Sequence, residues 1–122
     1  MPLTDLEIET YHRDGLVIPA DYRVSEETLA TINQLYEKLI SENKDNPDFS
    51  PDFILGPHLD TEGSYGIKGD PAWLEFAQIP EILDMVEQLI GADFILWGVT
   101  IFGKPAHVGK ATPWHQDGDY YP

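Results

Sequence analysis

The chain contains no cysteine. Disulfide scaffolds, thiolate zinc sites and cysteine nucleophiles are therefore excluded, and any transition-metal site must be built from imidazole and carboxylate. Basic residues are scarce: 7 Lys and Arg stand against 22 Asp and Glu, for a formal charge of −15. A surface of that sign repels phosphate backbones and anionic headgroups, so neither nucleic acid nor a membrane is expected as a partner. Long apolar runs are also missing, none reaching the roughly 18 residues of a membrane span. The opening Met1-Pro2-Leu3-Thr4-Asp5 lacks the basic and then apolar segments of a signal peptide. The expectation is a soluble, cytoplasmic protein. What is present is apolar material for a core, 42% hydrophobic and 11% aromatic residues in 122, which suits one domain spanning 1–122. No internal repeat or linker divides it.

Local signals place the elements. Thr4-Asp5-Leu6-Glu7 is a capping box, predicting a helix to about Asp14 that stops at Gly15. Leu16-Val17-Ile18 reads as a short buried strand ended by Pro19. Ser25 followed by Glu26 and Glu27 opens a second helix, on which Leu29, Ile32, Leu35, Leu39 and Ile40 keep helical period until it frays near Ser41. From 42 to 69 the text is rich in Asn, Asp, Pro, Gly and Ser, predicting a long loop or lid with at most a short strand at Phe53-Ile54-Leu55. Asp70-Pro71 and Pro80 mark two further helix starts, the second helix running from Glu81 to Ile90 with Gly91 as terminator and Ile82, Met85, Val86 and Leu89 on its buried face. Phe94 to Phe102 is nearly continuous apolar sequence and reads as a strand covered on both faces, with Trp97 in the core. The fold class expected is α+β.

Three of the four histidines lie in His-x-Asp triplets: His12/Asp14, His58/Asp60 and His115/Asp117. On a helix, positions two apart diverge by about 200°, whereas on an extended chain they share a face. His12 and Asp14 end the first helix and read as solvated. His58 and Asp60 fall in the long loop. His115 and Asp117 follow the predicted buried strand, from which a Gly/Pro-rich loop separates them, and on spacing alone they read either as a His and Asp in an ordinary polar turn or as two members of a 2-His-1-carboxylate facial triad. His107 reads as a solvated residue at a loop tip. From Phe94 to Gln116 there is no Asp or Glu while Lys104 and Lys110 are present, a local reversal of sign that suits an anion.

The run from Phe102-Gly103-Lys104-Pro105-Ala106 to Trp114-His115-Gln116-Asp117 and Tyr120 resembles the phytanoyl-CoA dioxygenase family of Fe(II)- and 2-oxoglutarate-dependent oxygenases. Asp14 to Pro19 is similar to the family's entry strand after the first helix, and Ile79 to Gly91 to its helix leading into the buried strand. The resemblance implies the N-terminal helices and first strands of a double-stranded β-helix, a jelly-roll or cupin-like fold, incomplete at the C-terminus. It makes His115 and Asp117 iron ligands, gives Lys68 and Thr100 contacts to the cosubstrate 2-oxoglutarate, and offers Trp114 and Tyr120 as walls for a small-molecule substrate. O2 is the other reactant.

The family's second iron-binding His and the basic residue that holds the far carboxylate of 2-oxoglutarate have no counterpart before Pro122. The chain is therefore expected to be the N-terminal portion of a longer hydroxylase, and inactive by itself. Two other classes fit the residues: a non-enzymatic acidic α+β module that binds a partner through the 42–69 loop, and a metal-dependent hydrolase built on His115 and Asp117.

Overall fold

The capping box forms. In a computed structural model that describes residues 3–62, 64 and 66–119, α1 (Asp5–Asp14) begins where Thr4 accepts from the Glu7 N–H and the Glu7 carboxylate accepts from the Thr4 N–H at 2.8 Å. The second Glu7 oxygen accepts from the Ala20 N–H at 2.8 Å. These backbone donors, Thr4 first, hold its carboxyl below the usual carboxylate range. Gly15 closes the helix in the left-handed region, at φ 73°, and donates to the Tyr11 carbonyl. The expected strand at 16–18 does not form: Leu16 and Ile18 lie exposed. Among the described residues the one ladder joins β1 and β2 and leaves this segment unpaired, and Pro19 lacks the N–H to extend a strand.

Helix α2 (Glu26–Asn43), capped by Ser25, runs past Ser41 to Asn43. The reason is Asn43 itself, only 2% exposed, whose amide donates back to the Leu39 carbonyl at 2.8 Å and holds the last turn. Strand β1 (Ile54–Leu55) falls inside the predicted Phe53–Leu55. Pro71 then leads a five-residue helix α3 (Trp73–Ala77), with the Asp70 carboxylate accepting from the Ala72 N–H at 3.0 Å. Lys38 donates to the other Asp70 oxygen at 2.7 Å, which lowers the Asp70 pKa and raises that of Lys38. Helix α4 (Pro80–Ile90) has proline at its first position, buries Met85 and stops at Gly91.

The predicted strand across 94–102 shrinks to β2 (Thr100–Ile101), antiparallel to β1 with Ile54 opposite Ile101 and Leu55 opposite Thr100. Ile95 is 82% exposed and Trp97 87%, so Trp97 is not a core residue and the segment is not covered on both faces. Among the described residues β1 is the strand that pairs with it, and Ile101 packs on the core formed with α2 and α3. Among the described residues the architecture is thus mostly helical with one two-stranded ladder, and the jelly-roll sheet is not formed. No helix there is long and apolar enough to cross a membrane.

The core centres on Leu39, Ile54 and Trp73, with Ile32, Leu35, Tyr36, Phe76 and Ile101 packed around them. Burial of these side chains drives the assembly, each contributing about 1.5–3 kcal/mol. Elsewhere α1 packs on α4. There the Gln88 amide accepts from the Leu3 N–H at 2.7 Å and donates to the Leu3 carbonyl at 3.3 Å.

The stretch between β1 and α3 is closed on itself. The Asp70 N–H donates to the Pro57 carbonyl at 2.7 Å, and Gly69 passes so near that a Cβ there would lie 2.2 Å from the Leu59 oxygen and 2.5 Å from that of Pro57. Both are backbone atoms with no room to turn away. Gly69→Ala is expected to lower stability by about 2–3 kcal/mol, as overpacking does, read from the urea midpoint with the slope unchanged.

Candidate metal centre

The segment that follows β2 is shaped by short contacts before it reaches the histidine. His107 takes a left-handed conformation, φ 68°, at an exposed tip, and the Gly109 N–H donates to the Pro105 carbonyl at 2.9 Å. The Lys110 N–H reaches the Asp52 carboxylate at 3.4 Å and ties this loop to the chain just before β1. Between them lies a cavity of ≈ 240 Å³ lined by Phe53, Phe102, Lys104, Lys110 and Thr112 among others, the two phenylalanine rings 5.3 Å apart.

His115 and Asp117 are brought together by a turn and not by a strand. Residues 111–116 carry no regular structure, and Asp117–Asp119 form one turn of 3₁₀ helix. The turn leaves His115 Nε2 3.4 Å from Asp117 Oδ1. On the other side of the ring, Nδ1 lies 2.8 Å from the Pro113 carbonyl. A carbonyl has no proton to give, so the proton of this contact sits on Nδ1, and in the neutral ring Nε2 keeps its lone pair. A lone pair beside a carboxylate oxygen is a pair of acceptors, which a cation relieves: a proton on Nε2 or a metal ion held by both. The donor set thus fits a divalent metal at two positions, with the backbone carbonyl fixing the ring as metal-bound histidines commonly require. Among the described residues no group of three His, Asp or Glu converges.

The remaining sequence-predicted residues are distributed around the α2–β core. Thr100 sits on β2 opposite Leu55, and Val99 to Phe102 line consecutively one side of a groove of ≈ 470 Å³ whose other wall is Ile32, Tyr36 and Phe76. Four successive residues on one wall mean that the groove runs along the free edge of β2. Lys68 has an exposed side chain on a fixed backbone: Asn43 accepts from its N–H at 2.8 Å and donates to its carbonyl at 3.1 Å. Ile67, next in the chain, packs into the same core as Ile101, the neighbour of Thr100. Trp114 is fully exposed. Tyr120 lies outside the described residues.

Asn43 escaped the sequence reading although a signal was there. It continues the Ile32, Leu35, Tyr36, Leu39 stripe of α2, four residues after Leu39, so a polar side chain falls where the pattern demands an apolar one. The Pro113 carbonyl carries no sequence signal at all.

Comparison with known proteins covers nearly all of this. The sequence profile of a family described as phytanoyl-CoA dioxygenase (PhyH) matches residues 11–122. The chain is 27% identical over 123 residues to an L-proline trans-4-hydroxylase of Streptomyces griseoviridis, an alignment that takes in 95% of this chain and 41% of that protein. It therefore spans less than half the length of that relative. No solved structure matches.

Proposed function

The chain belongs to the phytanoyl-CoA dioxygenase family of Fe(II)- and 2-oxoglutarate-dependent oxygenases, and we propose that it carries part of the active site of a hydroxylase acting on a small organic substrate. His115 and Asp117 are the iron ligands this chain supplies. Lys68 and Thr100 hold 2-oxoglutarate, and Trp114 and Tyr120 border the substrate. The observation that carries the reading is the 3.4 Å approach of His115 Nε2 to Asp117 Oδ1, with Nδ1 engaged by the Pro113 carbonyl, inside the segment that the family profile matches.

When bound, iron supplies the coupling by which 2-oxoglutarate, O2 and a C–H bond become succinate, CO2 and a C–OH group. The residues of this chain do the holding. The Pro113 carbonyl keeps the His115 proton on Nδ1, so that the Nε2 lone pair would be the one to hold the metal. The Asp117 carboxylate neutralises part of the metal charge, and its position on the first residue of the 3₁₀ turn sets its distance from the ring. The Lys68 ammonium faces a dicarboxylate cosubstrate as its counter-charge, on a backbone that Asn43 prevents from drifting. The similarity to a proline hydroxylase makes L-proline the first substrate to try.

Anaerobic titration with Fe(II) and 2-oxoglutarate tests the reading. A visible metal-to-ligand charge-transfer band that needs both additions is the expected result. Its absence, with Zn(II) binding and no response to 2-oxoglutarate, would instead favour a hydrolase.

A further inference from the structure

We propose that His58 is a positioning residue of the same site, donating a hydrogen bond from Nε2 to a carboxylate oxygen of the small molecule bound there; the inference rests on the oxygenase reading above. His58 occupies the closed stretch between β1 and α3, where backbone on both sides of it is fixed. The Gly56 N–H donates to the Val99 carbonyl at 3.1 Å, the Leu59 N–H to that of Gly56 at 2.9 Å, and the Ser64 hydroxyl to that of Asp60 at 2.6 Å. The imidazole lies against the apolar segment: a Cβ on Gly98 would stand 3.6 Å from His58 Cε1.

The two ring nitrogens differ. Nδ1 is buried and without a hydrogen-bond partner, and Nε2 is not among the atoms so buried and unpartnered. A neutral imidazole has one N–H, and a buried orphan N–H is a rarer and costlier arrangement than a buried lone pair. The proton therefore sits on Nε2. His58 is held on fixed backbone as a donor beside Gly98, which has no side chain to block approach.

Its surroundings select the acceptor. Gly98 is two residues before Thr100, on the same face of an extended chain and opposite to the Ile54/Ile101 face that enters the core. No Asp or Glu occurs from Phe94 to Gln116, so the segment facing His58 brings no carboxylate of its own; the acidic residues on the His58 side are Asp60, two residues on, and Asp70, whose N–H donates to the Pro57 carbonyl and whose carboxylate is paired with Lys38. A carboxylate can come from 2-oxoglutarate or from the organic substrate. A histidine kept for packing would be a poor choice at this position, because leucine fills a similar volume without orphaning a nitrogen.

The test is calorimetric titration of the complete protein, loaded anaerobically with Fe(II), with N-oxalylglycine in one arm and L-proline in the other, for wild type, His58→Leu and His58→Asn. The expected result is wild-type binding of N-oxalylglycine, a loss of about tenfold in affinity for one of the two compounds in His58→Leu, the size of a hydrogen bond to a charged group, and recovery of most of it in His58→Asn. The arm affected identifies the source of the carboxylate. The thermal midpoint of His58→Leu should equal or exceed that of wild type, which a structural role would not allow. Unchanged affinities in His58→Leu, with wild type binding normally, or a lowered midpoint, would overturn the inference and leave the oxygenase reading standing. Wild-type protein that binds neither compound would overturn both.

Discussion

His115→Ala should abolish metal-dependent turnover in the complete protein, with kcat/KM falling by at least about a thousandfold, equivalent to about 4 kcal/mol of lost transition-state stabilisation for a metal reaction. On the oxygenase reading Nε2 would be a direct metal bond, and among the described residues no third His, Asp or Glu converges on the pair to replace it. Asp117→Ala should behave alike, and Asp117→Asn should retain part of the binding through a neutral oxygen while losing the charge. Global stability should not follow, because Asp117 is largely exposed and the contacts of the His115 ring to Pro113 and Asp117 lie within one loop. Loss of the charge-transfer band with an unchanged thermal midpoint would establish a ligand. A band that survives His115→Ala would remove this residue from the site.

The second large effect is expected far from any metal. Asn43→Ala strips one side chain that serves three backbone groups: the Leu39 carbonyl, the Lys68 carbonyl and the Lys68 N–H. The Lys68 groups are left partly buried without partners, each at a cost of about 1–3 kcal/mol, and the vacated volume adds more. We expect destabilisation of about 3–4 kcal/mol, hence a fall of roughly 10–15 °C in thermal midpoint for a protein of this size. Asn43→Asp keeps the acceptor for the Lys68 N–H and should fall between. If Lys68 contacts 2-oxoglutarate, the same variants raise the KM for that cosubstrate while leaving the KM for substrate in place. Equal loss of both would mean unfolding alone.

These two residues differ in how far the sequence exposes them. The Trp114-His115-Gln116-Asp117 run attracts notice because imidazole and carboxylate at that spacing have a chemistry of their own. What orients the ring, a carbonyl two residues back, is invisible in a string of side chains. Asn43 sits on a helix whose period was plain, and its meaning lay in breaking that period. Where signals are local, sequence and structure agree closely: the capping box at Thr4, Ser25, Pro80 at a first position, and the stops at Gly15 and Gly91 bound α1, α2 and α4. Pairing is not local. Leu16-Val17-Ile18 and Phe94 to Phe102 have the composition of strands, but a strand exists only where another chain lies alongside, and composition says nothing of that. Only Thr100 and Ile101 find such a neighbour. The long loop was read as open text, yet Gly69 and Pro57 close it, a contact that depends on an absent Cβ.

The amide of Gln88, gripping both the N–H and the carbonyl of Leu3, joins positions 85 residues apart. The first helix can form from its own cap and reaches Ala20 through Glu7, but the helix it packs on, α4, follows the Leu39 core in the chain. Closing so long a chain segment is entropically slow compared with the local turns. Docking of α1 on α4 is thus expected to follow the local turns, whatever the order in which the two helices are made.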